Sequence, residues 1–167
     1  MKPIIKVTPR SLQKGSVKAS ILNCVSGFNS TQYFQSLIGK TQSQQKKLVS
    51  DFQNALLKSL SNQVNSLKWE AEHRPSKLKR DSIDVFGADD EKGGLRVVIE
   101  LDKYRADQIA KKFLSRSSLL IDEDVLYISL CYPGTSSMSS TECEKYFDYC
   151  ANISNKIGHQ YAAFIIE

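Results

Sequence analysis

The sequence predicts an α/β fold in which a central mixed β-sheet is flanked by helices. Three observations carry that prediction. Apolar residues repeat at helical spacing along residues 41–66, then switch to a period of two across residues 67–101. Helical spacing returns at residues 103–117 and 140–156. Two near-continuous apolar runs, DVLYISLC at 124–131 and QYAAFII at 160–166, have the character of strands buried on both faces. The order is helix, three strands, helix, strand, helix, strand. A meander followed by crossover units implies a mixed sheet between helices.

Each element has its own signal. Residues 15–25 (GSVKASILNCV) suggest a strand and residues 29–38 a short helix. Along residues 41–66, Val49, Phe52, Leu56, Leu57, Leu60 and Val64 form one apolar stripe, with Thr41 or Ser43 placed to cap it. Residues 67–73 (LKWEAEH) alternate, which puts Trp69 on the core face opposite Glu70, and Arg74-Pro75 ends the run. Residues 82–87 (SIDVFG) and 95–101 (LRVVIEL) are β-rich runs joined by the polar turn ADDEKGG, the pattern of an antiparallel hairpin with a long loop. Ala106, Ile109, Ala110, Phe113 and Leu114 mark one side of the helix at 103–117. Cys143, Phe147, Cys150 and Ile157 do the same for the helix at 140–156.

At 167 residues and 18.8 kDa, the chain has the size of one domain. Residues 41–167 are expected to form the α/β domain and residues 1–40 a basic N-terminal extension. Hydrophobic residues at 41% and charged residues at 25% exclude disordered and fibrous classes. No apolar run reaches the ~20 residues of a bilayer span, and the opening MKPIIKVTPRSLQKG lacks the pattern of a secretory signal. Cys24, Cys131, Cys143 and Cys150 form no CxxC motif and have no nearby histidine at ligand spacing. They are expected to be small buried hydrophobes of a reduced, cytoplasmic protein. Charge is uneven. Residues 1–50 hold Lys2, Lys6, Arg10, Lys14, Lys18, Lys40, Lys46 and Lys47 and no acid, whereas residues 51–167 hold all 18 acids. That asymmetry suits a polyanion partner, and equally a merely solvated basic surface.

The chemically informative segment is residues 69–105, because it sets acids inside strands. Asp84 lies between Ile83 and Val85, and Glu100 follows Val97-Val98-Ile99 directly. A carboxylate buried in a strand without a partner costs several kcal/mol. Glu100 and Asp102 share a face, about 6.6 Å apart along the strand, and Asp84 on the neighbouring strand is able to point to it. Glu70 and Glu72 likewise share a face of the preceding strand. Converging carboxylates are what a hard divalent ion such as Mg²⁺ requires. The alternative is that Glu100 and Asp102 lie at an exposed strand end and pair with Arg96 or Lys103.

These residues and the element order resemble the PD-(D/E)XK nuclease superfamily, the restriction-endonuclease-like fold. The likeness spans residues 41–131. The resemblance implies a Mg²⁺- or Mn²⁺-dependent DNA endonuclease that hydrolyses phosphodiester bonds. Asp84 would be the first metal-binding acid and Glu100, 16 residues on, the second, with Glu70 and Glu72 as auxiliary acids. The lysine of the family pattern falls at Asp102, so either Asp102 or the adjacent Lys103 fills the third position. In the resembling fold the following helix flanks the DNA cleft. Arg105, Lys111, Lys112 and Arg116 would therefore contact phosphates, and a homodimer would allow cutting of both strands. The departure at Asp102 also suits a catalytically inactive nucleic-acid-binding or protein-interaction module.

Overall fold

A computed structural model describes residues 15–35, 37, 39–76, 81–91, 93–134 and 138–166. Lys2, Lys6, Arg10 and Lys14 lie outside the described residues. Three helices come first: α1 (Val17–Gly27), α2 (Thr31–Phe34) and α3 (Gln42–Gln63). The strands β1 (Lys68–His73), β2 (Ile83–Ala88) and β3 (Leu95–Lys103) follow, then α4 (Ala106–Ser117), β4 (Asp124–Tyr132), α5 (Ser140–Lys156) and β5 (Gln160–Ile165). The strands form one open sheet in the order β1-β2-β3-β4-β5. β1, β2 and β3 pair antiparallel, and β3, β4 and β5 pair parallel. The α/β class and the mixed sheet are thus as the sequence predicts.

Residues 15–25 are the exception, because they form a helix where the sequence suggests a strand. Ile21, Leu22, Cys24 and Val25 are buried on one helical face, and Ser16 caps the end by accepting a bond of 3.2 Å from the Ala19 N–H. Val, Ile and Cys have β character, but this spacing of apolar residues also fits a helix, and α1 packs on α3. Together with Phe34 and Leu37 these residues share the core that lies beneath α3.

The strands of the sheet divide their residues between two cores. Val97, Ile99 and Leu101 of β3 face α3 with Leu126, Ile128 and Leu130 of β4. Val98 joins Val125, Tyr127, Phe113 and Phe147 on the side of α4 and α5. β3 therefore buries both faces, so Glu100 and Asp102, on the α4 side, are enclosed at 1% and 7% exposure. α3 starts at a capping box in which Thr41 and Gln44 bond each other's backbone N–H. β1 is anchored by Trp69, whose Nε1 donates to the Val64 carbonyl at 2.9 Å. Its ring lies over Gly87, where a Cβ would stand 2.7 Å from the ring. All four cysteines are buried and free. Among the described residues no helix is long and apolar enough to cross a membrane.

Candidate functional site

Three strand-borne carboxylates meet one ammonium. Lys112 reaches inward from α4 and lies 3.1 Å from Asp84, 2.9 Å from Glu100 and 3.1 Å from Asp102. It also donates to the Leu101 carbonyl at 3.2 Å. One turn further along α4, Arg116 donates from Nε to Glu100 at 2.9 Å and from its terminal nitrogen to the Ser82 carbonyl at 2.6 Å. The pleat makes this possible. Glu100 and Asp102 are two residues apart on a buried strand and point the same way. Asp84, on β2, is one step beyond the Val85–Ile99 pair, and its Oδ2 accepts from the Leu101 N–H at 2.7 Å.

Enclosure sets the electrostatics. Burial, reinforced by the Asp84 charge, pushes the Glu100 carboxyl up to about 8. Burial also raises Asp102, against the pull of Lys112. For Lys112 burial acts to lower the pKa, but Glu100, Asp84 and Asp102 outweigh it and hold the ammonium above its ordinary range. At neutral pH the cluster therefore keeps its cations charged and stores a proton on Glu100. Asp102 Oδ2 has no hydrogen-bond partner among the described residues.

Asp84 also opens on a cleft of about 400 Å³. Its walls are one face of α3, from Gln42 to Gln53, and Glu72, Lys103 and Tyr132 at the strand ends. Lys103 does not join the acid cluster. Its Nζ donates across the cleft to Gln45 Oε1 at 3.0 Å. The cation beside the three acids is Lys112 of α4, for which the resemblance implies phosphate contact. Arg116 likewise turns inward. Arg105 stays exposed and pairs with Asp107 at 3.2 Å, and Lys111 is exposed on α4.

Glu70 and Glu72 do not share a face. Glu72 has φ +53°, a left-handed conformation unusual for glutamate, which breaks the alternation. Its carboxylate accepts from Gln53 Nε2 at 3.0 Å and Ser82 Oγ at 2.8 Å, beside the cleft. Glu70 instead pairs with the His73 ring, which stacks on Phe86 with centroids 4.0 Å apart. Gln53 is a site residue that sequence reasoning passed over. Its Nε2 also donates to the Asp84 carbonyl at 2.5 Å. The signal was present, because Gln53 lies between Val49 and Leu56 on the apolar stripe, where a buried amide needs a partner.

The donor set of Asp84, Glu100 and Asp102 has the hard oxygen chemistry that suits Mg²⁺ or Mn²⁺. Among the described residues, however, no group of three or more His, Cys, Asp or Glu is arranged to hold a metal ion. Lys112 occupies the point where the three carboxylates converge. An ion would compete with it for the same oxygens. No family model matches the chain, and a search of curated proteins finds no relative.

Proposed function

We propose that the protein is a metal-dependent DNA endonuclease of restriction-endonuclease-like fold. The observation that carries this reading is the convergence of Asp84, Glu100 and Asp102 on Lys112, beside a cleft lined by Lys103. The mixed sheet supports it too, because a helix, an antiparallel three-strand meander, a helix and a parallel strand follow in the order that the resemblance implies. Asp84, Glu100 and Asp102 would hold Mg²⁺ or Mn²⁺ only with Lys112 displaced from the point where they converge. A bound divalent ion lowers the pKa of water and offsets charge on a phosphate.

The chain's own groups have distinct parts in this reading. Asp84 is the carboxylate that the cleft reaches, while Glu100 and Asp102 lie behind it. The Leu101 N–H and Lys112 fix the Asp84 oxygen. Lys112 offers an ammonium beside the reacting phosphate, whose charge grows as the P–O bond breaks. Arg116 holds Glu100 in place from the side remote from the cleft. Glu100 must release its proton before it serves as a ligand.

One observation favours a second reading, a catalytically inactive nucleic-acid-binding or protein-interaction module. Lys112 already offsets the charge on Asp84 and Asp102. Plasmid cleavage with Mg²⁺ or Mn²⁺, against EDTA, separates the two. Asp84→Asn is expected to lose about a thousandfold in rate and Glu70→Gln to keep wild-type activity. A folded wild-type protein that cuts no DNA under either metal overturns the nuclease reading.

A further inference from the structure

The outer face of α5 carries an apolar stripe that the acid cluster and the cleft leave unused. Glu142, Tyr146, Tyr149, Ile153 and Lys156 follow one another at steps of four, three, four and three, so they lie along one side of the helix. The core side is a separate set, with Cys143, Phe147, Cys150 and Ser154 buried. Tyr149 and Ile153 are 58% and 38% exposed, and on α4, which packs beside α5, Leu114 is 53% exposed. Single exposed apolar side chains are ordinary on a protein surface, whereas neighbours along one helical stripe mark a contact face. The Tyr146 and Tyr149 rings meet edge to face at 5.6 Å, which limits their freedom before any partner arrives. Glu142 and Lys156 are exposed at the two ends, and neither forms an ion pair among the described residues.

We infer that this stripe is the contact face of a homodimer in which α5 packs antiparallel against the α5 of a second copy, with Tyr149 on the two-fold axis. The arrangement of charge selects that occupant and that direction. Glu142 and Lys156 stand seven residues, or about two turns, on either side of Tyr149. A two-fold axis through Tyr149 therefore brings Glu142 opposite the partner's Lys156, about 10 Å from the axis, and does so twice. The same operation sets Tyr146 beside the partner's Ile153 and Tyr149 against the partner's Tyr149. Tyrosine suits such a place, because its ring gives a large apolar contact while its hydroxyl stays wet. A parallel pairing would set like charges together at both ends of the stripe. α4 and α5 cover the side of the sheet opposite α3, so the antiparallel pairing leaves the cleft at Asp84 open. Dimerisation through α5 is therefore independent of the nuclease reading.

Sedimentation velocity of the full chain, from about 1 to about 100 μM, tests the proposal over a range that brackets a micromolar Kd. The mass is expected to rise with concentration from the 18.8 kDa of one chain to twice that value. Tyr149→Glu sets two carboxylates on the axis and should weaken association by about thirtyfold or more. Glu142→Lys and Lys156→Glu should each weaken it about tenfold, because each sets like charges together twice. An equimolar mixture of these two variants should then associate as tightly as wild type, since every end contact is again lysine against glutamate. Asn155→Lys, on the far side of α5, should behave as wild type. All four changed side chains are exposed, and circular dichroism checks that each variant folds. A chain that stays monomeric throughout the range overturns the proposal and leaves the stripe to a different partner. A dimer that Tyr149→Glu leaves intact overturns it too. So does a pair of charge-reversed variants whose mixture associates no more tightly than either one alone.

Discussion

The chain carries two pairs of acids with the same spacing, Glu70 and Glu72 on β1, Glu100 and Asp102 on β3, and they meet opposite fates. β3 is central. Its neighbours fix its pleat on both sides, a helix covers the acid-bearing face, and both carboxylates are held against Lys112. β1 is an edge strand, mostly exposed, and its pleat fails at Glu72. Glu72 turns to the cleft while Glu70 turns to His73. Two-residue spacing therefore places side chains together only where the sheet enforces the alternation. A carboxylate pair on a central strand constrains chemistry more tightly than the same pair on an edge.

The sharpest way to test that contrast is to remove one acid from each pair. Glu100→Ala removes the buried carboxyl that accepts from Arg116 and Lys112, and is expected to cost about 1.5–3 kcal/mol. Glu70→Ala loses only an exposed pair and should cost less than about 0.5 kcal/mol. Urea denaturation of the two variants measures both. Similar losses would mean that the edge pair is as firmly held as the central one.

Lys112→Met probes the centre from the cation's side. Asp84, Glu100 and Asp102 then face one another without their shared counter-charge. The variant should be less stable than wild type at pH 8 and should recover stability on addition of Mn²⁺, because the ion no longer competes with an ammonium. A larger Mn²⁺-induced rise in Tm for the variant than for wild type is the expected outcome. Equal shifts would show that Lys112 and the ion do not share these oxygens.

The pH dependence of stability is a gentler test of the same cluster. The Glu100 carboxyl is raised from its ordinary value to about 8, so the folded state holds a proton that the unfolded chain has released. Stability contributed in this way is full at and below the ordinary carboxyl range and is lost as pH rises towards 8. Asp102 is also raised and acts with the same sign. His159, lowered chiefly by burial from its ordinary 6.5, weakens the fold only as pH falls through that range. Between pH 6.5 and about 8 the Tm should therefore fall with pH, and Glu100→Gln should flatten the slope. A Tm that rises across this window would contradict the enclosure of Glu100. Cleavage should run the other way and increase towards pH 8, because a ligand carboxyl must be ionised.

Much of this arrangement was legible in the sequence. The change of period at residue 67 and the two apolar runs located the sheet, and Asp84, Glu100 and Asp102 stood out as acids in strand interiors. The source of the central cation was not legible. A helix presents several basic residues, and spacing alone does not tell which ones a strand will receive. Lys112 and Arg116 are four apart and share a face, as are Lys111 and Ser115, and only the crossing of α4 over β3 selects the first pair. Residues 15–25 were misread because their apolar pattern fits either period. The turn at Glu72 left no trace, because glutamate has no preference for positive φ.

That turn gives the smallest and most local prediction. At φ +53° asparagine is tolerated, whereas a β-branched residue is strongly disfavoured. Glu72→Asn should therefore change stability by less than about 1 kcal/mol, with the lost bonds to Gln53 and Ser82 offset by relief of strain. Glu72→Val loses the same bonds and adds strain, so it should be less stable than Glu72→Asn by about 1–3 kcal/mol. On an ordinary edge strand the order would reverse, because valine favours β structure and asparagine does not. The sign of the difference between these two variants thus reports whether β1 really abandons its pleat at residue 72. It also reports whether Glu72 reaches the cleft by a built-in turn of the backbone, or only by the reach of its side chain.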